Sequence, residues 1–184
     1  EVQVRAPYEL AQMVVPGMRE RGAGWILNIS SRAGIHPPGP PYEPMWKDWG
    51  FSTYGMVKAA LDRFSTGLAA EVWTDNIAVN SLSPWDNVAT PGASAHDLVE
   101  SFKLEDISLM AEAALCLCSG DPRRLTGRVA YSQPLLAELQ RLIKNLLPAL
   151  EKRLAETSGL RLGLAIEGLG ERDADALLSG LSEP

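Results

Sequence analysis

The sequence predicts an α/β fold: a parallel sheet with helices on both of its faces. Three observations carry that expectation. The runs "WILNISS" and "NIAVNSLS" are apolar with little alternation, which is the pattern of strands buried on both faces. Segments with apolar residues at helical spacing precede and follow them. Clusters of glycine and proline separate the pieces, so that strands and helices alternate along the chain.

The first helix is predicted from Pro7 to Arg21, where Tyr8, Leu10, Ala11, Val14, Val15 and Met18 recur at helical spacing; Gly22 and Gly24 end it. "WILNISS" follows as a strand. Residues 32–51 hold five prolines and three glycines, which predicts a long loop without regular structure. Tyr54, Val57, Leu61, Phe64, Leu68 and Val72 then mark one face of a helix that Ser52 or Thr53 would cap. "NIAVNSLS" reads as a second buried strand stopped by Pro84, and "PWDNVATPGA" as a loop. "DLVESF" and "LEDISLMAEAALCLCS" read as helices and "GRVAYS" as a short strand. From Pro134 the texture changes to a leucine-rich amphipathic helix, which Pro148 would kink or divide through Leu154. The expected division is therefore residues 1–133 as the α/β domain and 134–184 as a helical extension. The last segment, from Gly159, offers a short strand and a short helix interrupted by glycines.

Bulk properties narrow the function. A chain of 184 residues supports one main core. With 46% hydrophobic and 22% charged residues it falls among folded globular proteins. A net charge of −6 without a basic cluster argues against nucleic acid as a partner. No apolar run is long enough for a membrane span and no leader-like segment opens the chain, so a cytoplasmic location is the expectation. The two cysteines, Cys116 and Cys118, point to different sides of one helical run and are expected to be reduced core thiols. The chain begins at Glu1 in mid-pattern, as a fragment or processed product would.

The chemistry concentrates in "STYGMVK". Tyr54 and Lys58 lie four positions apart, on one face of the predicted helix. An ammonium beside a phenol favours the phenolate, which brings a tyrosine toward the range useful for acid–base work. The same spacing also suits an ordinary surface pair, a half-buried tyrosine beside a solvated lysine. Upstream, "NISSRAG" ends a strand with two serines at the edge that α/β sheets use for ligands, and "VNSLSP" ends the next strand at that same edge. No G-x-S-x-G or H-E-x-x-H is present, and His36 and His96 lie in separate loops, so hydrolase and metal sites are not expected.

The ordered series "VQVRAP", "NISSRAG", "YGMVKAALDRFSTGLAAEV", "IAVNSLSP…VATPG" and "LTGRVAYS" resembles the C-terminal half of a short-chain dehydrogenase/reductase, from Glu1 to about Glu138. The resemblance implies a partial Rossmann-like sheet lacking its N-terminal strands. It makes Tyr54 the proton donor to a substrate carbonyl or acceptor from its alcohol, and Lys58 the residue that assists it and holds the nicotinamide ribose. Ser31 would hydrogen-bond the reacting oxygen, and Pro84, Val88 and Thr90 would lie along the nicotinamide end of NAD or NADP. The implied partners are a small carbonyl or alcohol substrate and, because the truncated sheet would leave an open edge, further copies of the chain.

Several positions depart from the family pattern. Gln3 stands where the family usually has asparagine, and Pro84-Trp85 where it has Pro-Gly, with one residue more before Val88. Ser31 and Tyr54 are 23 positions apart, wider than the family needs, so the loop with Tyr42, Trp46, Trp49 and Phe51 reads as an insertion beside the substrate, either a lid or a structural loop. The glycine-rich turn that meets a pyrophosphate is missing from the sequence. These departures keep a second expectation open: a truncated, non-catalytic remnant that acts as an interaction protein through its leucine-rich helix.

Overall fold

The computed structural model describes residues 2–48, 50–91 and 103–158. The chain divides into two units, Glu1–Leu136 and Ala137–Pro184. In the first unit, helix α1 (Arg5–Arg21) ends at Gly22, whose φ of 74° is the left-handed cap that glycine adopts without penalty. Strand β1 (Gly24–Ile29) pairs in parallel with β2 (Ile77–Ser83) from Gly24↔Ile77 to Ile29↔Leu82. β2 pairs in parallel with β5 (Val129–Tyr131), giving the order β1-β2-β5. Helix α3 (Phe51–Glu71) connects β1 to β2, and helix α4 (Ile107–Leu117) precedes β5.

Every residue of β2 is buried. On one face Val15 of α1 and Ala69 and Val72 at the end of α3 enclose Ile77 and Val79, with Met18, Ile26 and Leu68 around them. α4 also packs on β1 and β2 and buries Ala113, Cys116 and Leu117. β1 differs from the expectation of a strand buried on both faces: it is the edge of this sheet, most of it is half-buried, and Ile29 is 53% exposed. Cys118 is also corrected; it caps the end of α4 and is exposed, whereas Cys116 is buried.

The segment read as one long loop contains a 3-10 turn, Arg32–Gly34, and a short helix α2 (Pro44–Asp48). The Ser31 hydroxyl accepts from the Ala33 N–H, which supplies the turn's cap, and Pro44 suits a first helical position because its missing N–H would go unpaired there anyway. α3 begins at Phe51 with Gly50 as its cap, ahead of Ser52 and Thr53. Within the predicted loop after β2, the two-residue strand β3 (Asn87–Val88) pairs with β4 (Leu104–Glu105). Asp106 caps α4 by accepting from the Ser108 N–H at 2.8 Å, a bond that holds its carboxyl below the usual range. Helix α5 (Ser132–Ser158) starts two residues before Pro134 and runs through Pro148 as one helix; of the expected kink or division at Pro148, the division does not occur. The expected helix "DLVESF" and the tail from Gly159 lie outside the described residues.

Candidate active site

The carboxyl end of the sheet carries two turns, one after β1 and one after β2. In the first, Ser30 is buried and its hydroxyl donates to the Lys58 carbonyl across a long 3.4 Å, while Ser31 is half-buried and caps the 3-10 turn. Among the described residues the Ser31 hydroxyl proton has no acceptor, so it is available to a ligand oxygen. α3 packs tightly on this turn: a Cβ at Gly55 would lie 2.5 Å from the Ala33 carbonyl oxygen, and one at Gly34 would lie 3.1 Å from the Ala59 nitrogen. Glycine at position 55, between Tyr54 and Lys58, therefore sets how close the helix comes to the serine turn.

The buried stripe of α3 is Lys58, Leu61, Ser65 and Ala69. Small and polar residues in that stripe let the helix approach the sheet. Asn28 donates to the Ser65 hydroxyl at 2.9 Å, and Ser65 donates back to the Leu61 carbonyl. Lys58 is only 6% exposed, and its ammonium donates to the Ile29 carbonyl at 3.0 Å, the last residue of β1. The same nitrogen sits 5.6 Å from the centre of the Tyr54 ring. Burial pulls the Lys58 ammonium below its ordinary range, and the Asp62 carboxylate opposes that shift. Asp62 is in turn held by the buried Ser81 hydroxyl, which donates to its Oδ1 at 2.8 Å.

Tyr54 and Lys58 thus share a helix face with their exposures reversed from those of an ordinary surface pair: the lysine is buried, and the tyrosine is 41% exposed. An exposed phenol beside a desolvated cation can reach a ligand while the cation stabilises charge that develops on the phenol oxygen.

In the second turn Pro84 follows β2 directly, Val88 lies in β3, and Thr90 lies two residues beyond, all three half-buried. Arg32 bridges the two turns. Its Nη1 donates to the Trp85 carbonyl at 2.6 Å, and its guanidinium stacks 4.3 Å from the Trp85 ring centre. Tyr131 meets Trp85 edge-on at 6.0 Å, and burial pushes its phenol up. Ser83, the last residue of β2, is 1% exposed, and among the described residues its hydroxyl has no partner. It lies on the same strand face as Ser81, two residues away, and Ser81 faces α3.

The structure therefore gathers Tyr54, Lys58 and the Ser30-Ser31 turn around α3, and places Pro84 and Val88 on the neighbouring turn. Sequence reasoning passed over Arg32, Asp62, Ser83 and Glu105. Asp62 had a signal, since it stands four residues after Lys58 on the same helix face. In the long loop, Trp46 packs edge-on against Phe51 at 6.0 Å, whereas Trp49 lies outside the described residues. Among the described residues no cluster of three metal-ligating side chains occurs, and no helix is long and apolar enough to cross a membrane.

Known proteins are similar to this chain in sequence and in fold. The very-long-chain 3-oxoacyl-CoA reductase of Anas platyrhynchos is 37% identical over 84 residues, which cover 46% of this chain and 24% of the relative. A 3-oxoacyl-[acyl-carrier protein] reductase from Brucella melitensis, solved with bound NAD, superposes with a TM-score of 0.54 at 28% identity, over 71% of this chain and 47% of that one. The L-sorbose reductase of Gluconobacter frateurii, complexed with NADPH and L-sorbose, gives 0.54 at 29% identity, over 70% of this chain and 53% of that one. In each case the match spans about half or less of the known protein's length. The family model described as short chain dehydrogenase matches residues 1–96, which carry the serine turn, α3 and the turn after β2. A parallel Rossmann-type sheet and that match together make this chain a member of the short-chain dehydrogenase family of oxidoreductases.

Proposed function

We propose that the chain is the catalytic portion of an NAD(P)-dependent oxidoreductase that interconverts a carbonyl and an alcohol, with Ser31, Tyr54 and Lys58 as its working set. The observation that carries this reading is the reversed exposure of the pair: a buried Lys58 ammonium fixed on the Ile29 carbonyl beneath a half-exposed Tyr54 ring. The nicotinamide cofactor, when bound, supplies or accepts the hydride. Tyr54 would give its phenolic proton to the carbonyl oxygen, or take it from the alcohol. Lys58 would place positive charge beside the phenol oxygen as that proton leaves and would hydrogen-bond the ribose. The Ser31 hydroxyl proton, without an acceptor among the described residues, would orient the substrate oxygen.

The residues present fit the nicotinamide end of such a cofactor. Ser83 leaves a buried hydroxyl, unpartnered among the described residues, at the carboxyl end of the central strand, immediately before Pro84. An orphaned buried hydroxyl costs about 1–3 kcal/mol unless something meets it. Val88 in β3 and Thr90 just beyond it would continue the contact. This reading also has the enzyme working in the cytoplasm as a homo-oligomer, its association supported by the exposed Leu10, Met13 and Val14 of α1.

The test is a titration of the chain with NADH and with NADPH, followed by tryptophan fluorescence, with Lys58→Ala as control, together with reductase turnover of wild type against Tyr54→Phe. Saturable binding that Lys58→Ala removes, and a loss of roughly 100- to 10,000-fold in turnover with Tyr54→Phe, are expected. The exposed Leu142 and Leu146 of the leucine-rich helix α5 favour a second reading, a non-catalytic interaction protein. A folded chain that binds neither dinucleotide would select it.

A further inference from the structure

Once β2 ends at Ser83, the backbone N–H groups that follow have left the three-stranded sheet and need acceptors elsewhere. Three successive ones find them in segments far along the chain. The Trp85 N–H donates to the Ser132 hydroxyl at 2.9 Å, the Asp86 N–H to Glu105 Oε2 at 3.3 Å, and the Asn87 N–H to the Lys103 carbonyl at 3.0 Å. Ser132 is fully buried and Glu105 is 7% exposed.

Backbone N–H groups can only donate, which fixes the bonds that leave the turn. Glu105 accepts through both of its oxygens. Ser132 spends its one proton on Glu105, at 2.7 and 2.9 Å from its two oxygens, which leaves the hydroxyl oxygen to receive the Trp85 N–H. Gln133 donates to Glu105 Oε2 at 2.9 Å and to Asp86 Oδ2 at 3.3 Å. Among the described residues Glu105 has no salt bridge; neutral donors meet it, while the Lys103 ammonium sits on Asp86 at 3.0 Å. A buried carboxylate is costly to keep, and a fully satisfied one imposes a single arrangement on its donors.

We propose that Glu105, relayed by Ser132, is a positioning residue that latches the turn Pro84–Val88 in the shape that receives the nicotinamide, without itself touching the cofactor. The proposal rests on the reading of that turn as a cofactor contact given above. The latch also accounts for how the chain carries the bulky Trp85 and one residue more than the family pattern before Val88. The extra backbone groups are bound by β4 and the start of α5 in place of a local turn.

The test compares Glu105→Ala, Ser132→Ala and Ser132→Thr with wild type and with Ile77→Val, a core destabiliser at the opposite end of β2. Two quantities are read: hydrogen exchange of the Trp85, Asp86 and Asn87 amides without cofactor, and the Kd for NADH and NADPH. Glu105→Ala is expected to speed exchange at Trp85 and Asp86 and to weaken dinucleotide binding about tenfold, roughly 1.4 kcal/mol. Ser132→Ala should speed exchange at Trp85 most, Ser132→Thr should restore it, and Ile77→Val should lower the Tm and leave both readouts at these sites unchanged. If Glu105→Ala fails to fold, Ser132→Ala and its threonine rescue decide the question. Unchanged exchange in folded variants overturns the latch, and faster exchange with unchanged Kd overturns its role toward the cofactor. A wild type that binds neither dinucleotide overturns the functional reading and the cofactor role with it, while exchange still decides whether the latch exists.

Discussion

The two turns at the carboxyl edge of the sheet are built on opposite principles. The turn after β1 carries its own cap: Ser31 closes it from two residues away, and α3, the second helix after it, packs against it at Gly34 and Gly55. The turn after β2 is held from a distance, by Lys103, Glu105 and Ser132, which belong to β4 and its approach and to α5. A turn with a cap of its own keeps that bond wherever its segment folds. A remotely built one depends on the whole unit being in place, so the two should respond differently to mutation.

The largest effect should come from the local turn. In Gly55→Ala the new Cβ meets the Ala33 carbonyl at 2.5 Å, a backbone atom that cannot swing aside. Overpacking of this kind costs about 1–3 kcal/mol. Urea unfolding should show a lowered midpoint, with Gly34→Ala, whose nearest contacts are 3.1 Å, less affected. An unchanged midpoint in Gly55→Ala would mean that α3 does not rest on this turn.

Arg32→Ala addresses the bridge between the turns, removing both the bond to the Trp85 carbonyl and the stacking on its ring. At this exposed site the loss should be about 1 kcal/mol, and Trp85 emission should shift to the red as the ring gains solvent. A smaller effect is expected at low pH from Asp86, whose carboxyl is held below its ordinary value of 3.8 chiefly by the hydrogen bond from Lys103. A lowered native pKa stabilises the fold above 3.8 and loses that contribution as pH falls below it toward the native value. The Tm difference between wild type and Lys103→Ala should accordingly be present near neutrality and vanish in acid; a difference independent of pH would assign it to something other than this ion pair.

How much of this was legible depends on how far the determinants lie apart. β2 is legible almost to the residue, because Ile77, Ala78, Val79 and Leu82, bounded by Asn76 and Pro84, suit a short buried strand better than a helix. Tyr54 and Lys58 were placed on one face because helical spacing is local. The stripe that α3 buries was misjudged, since Ser65 and Lys58 look like surface residues until Asn28 and the Ile29 carbonyl are opposite them. β1 reads as buried on both faces by composition, yet burial of a strand's outer side depends on what lies beside it. The 3-10 turn and α2 were hidden by the proline density of their segment. Glu105 carried no signal at all: its partners Ser132 and Gln133 are remote in sequence, and an acidic residue just before a helix normally reads as a cap.

The glycines of α3 have a consequence for anyone wishing to make this protein more robust. Replacing helical glycine with alanine is a standard stabilising move, because alanine is favoured by about 1 kcal/mol in a helix interior. Gly55 and Gly67 look alike to that rule. At Gly67 an added methyl would meet only the mobile guanidinium end of Arg63, whereas at Gly55 it would push against the main chain that carries the serine turn. The same substitution, three turns apart on one helix, would strengthen the scaffold at one position and pry open the proposed site at the other.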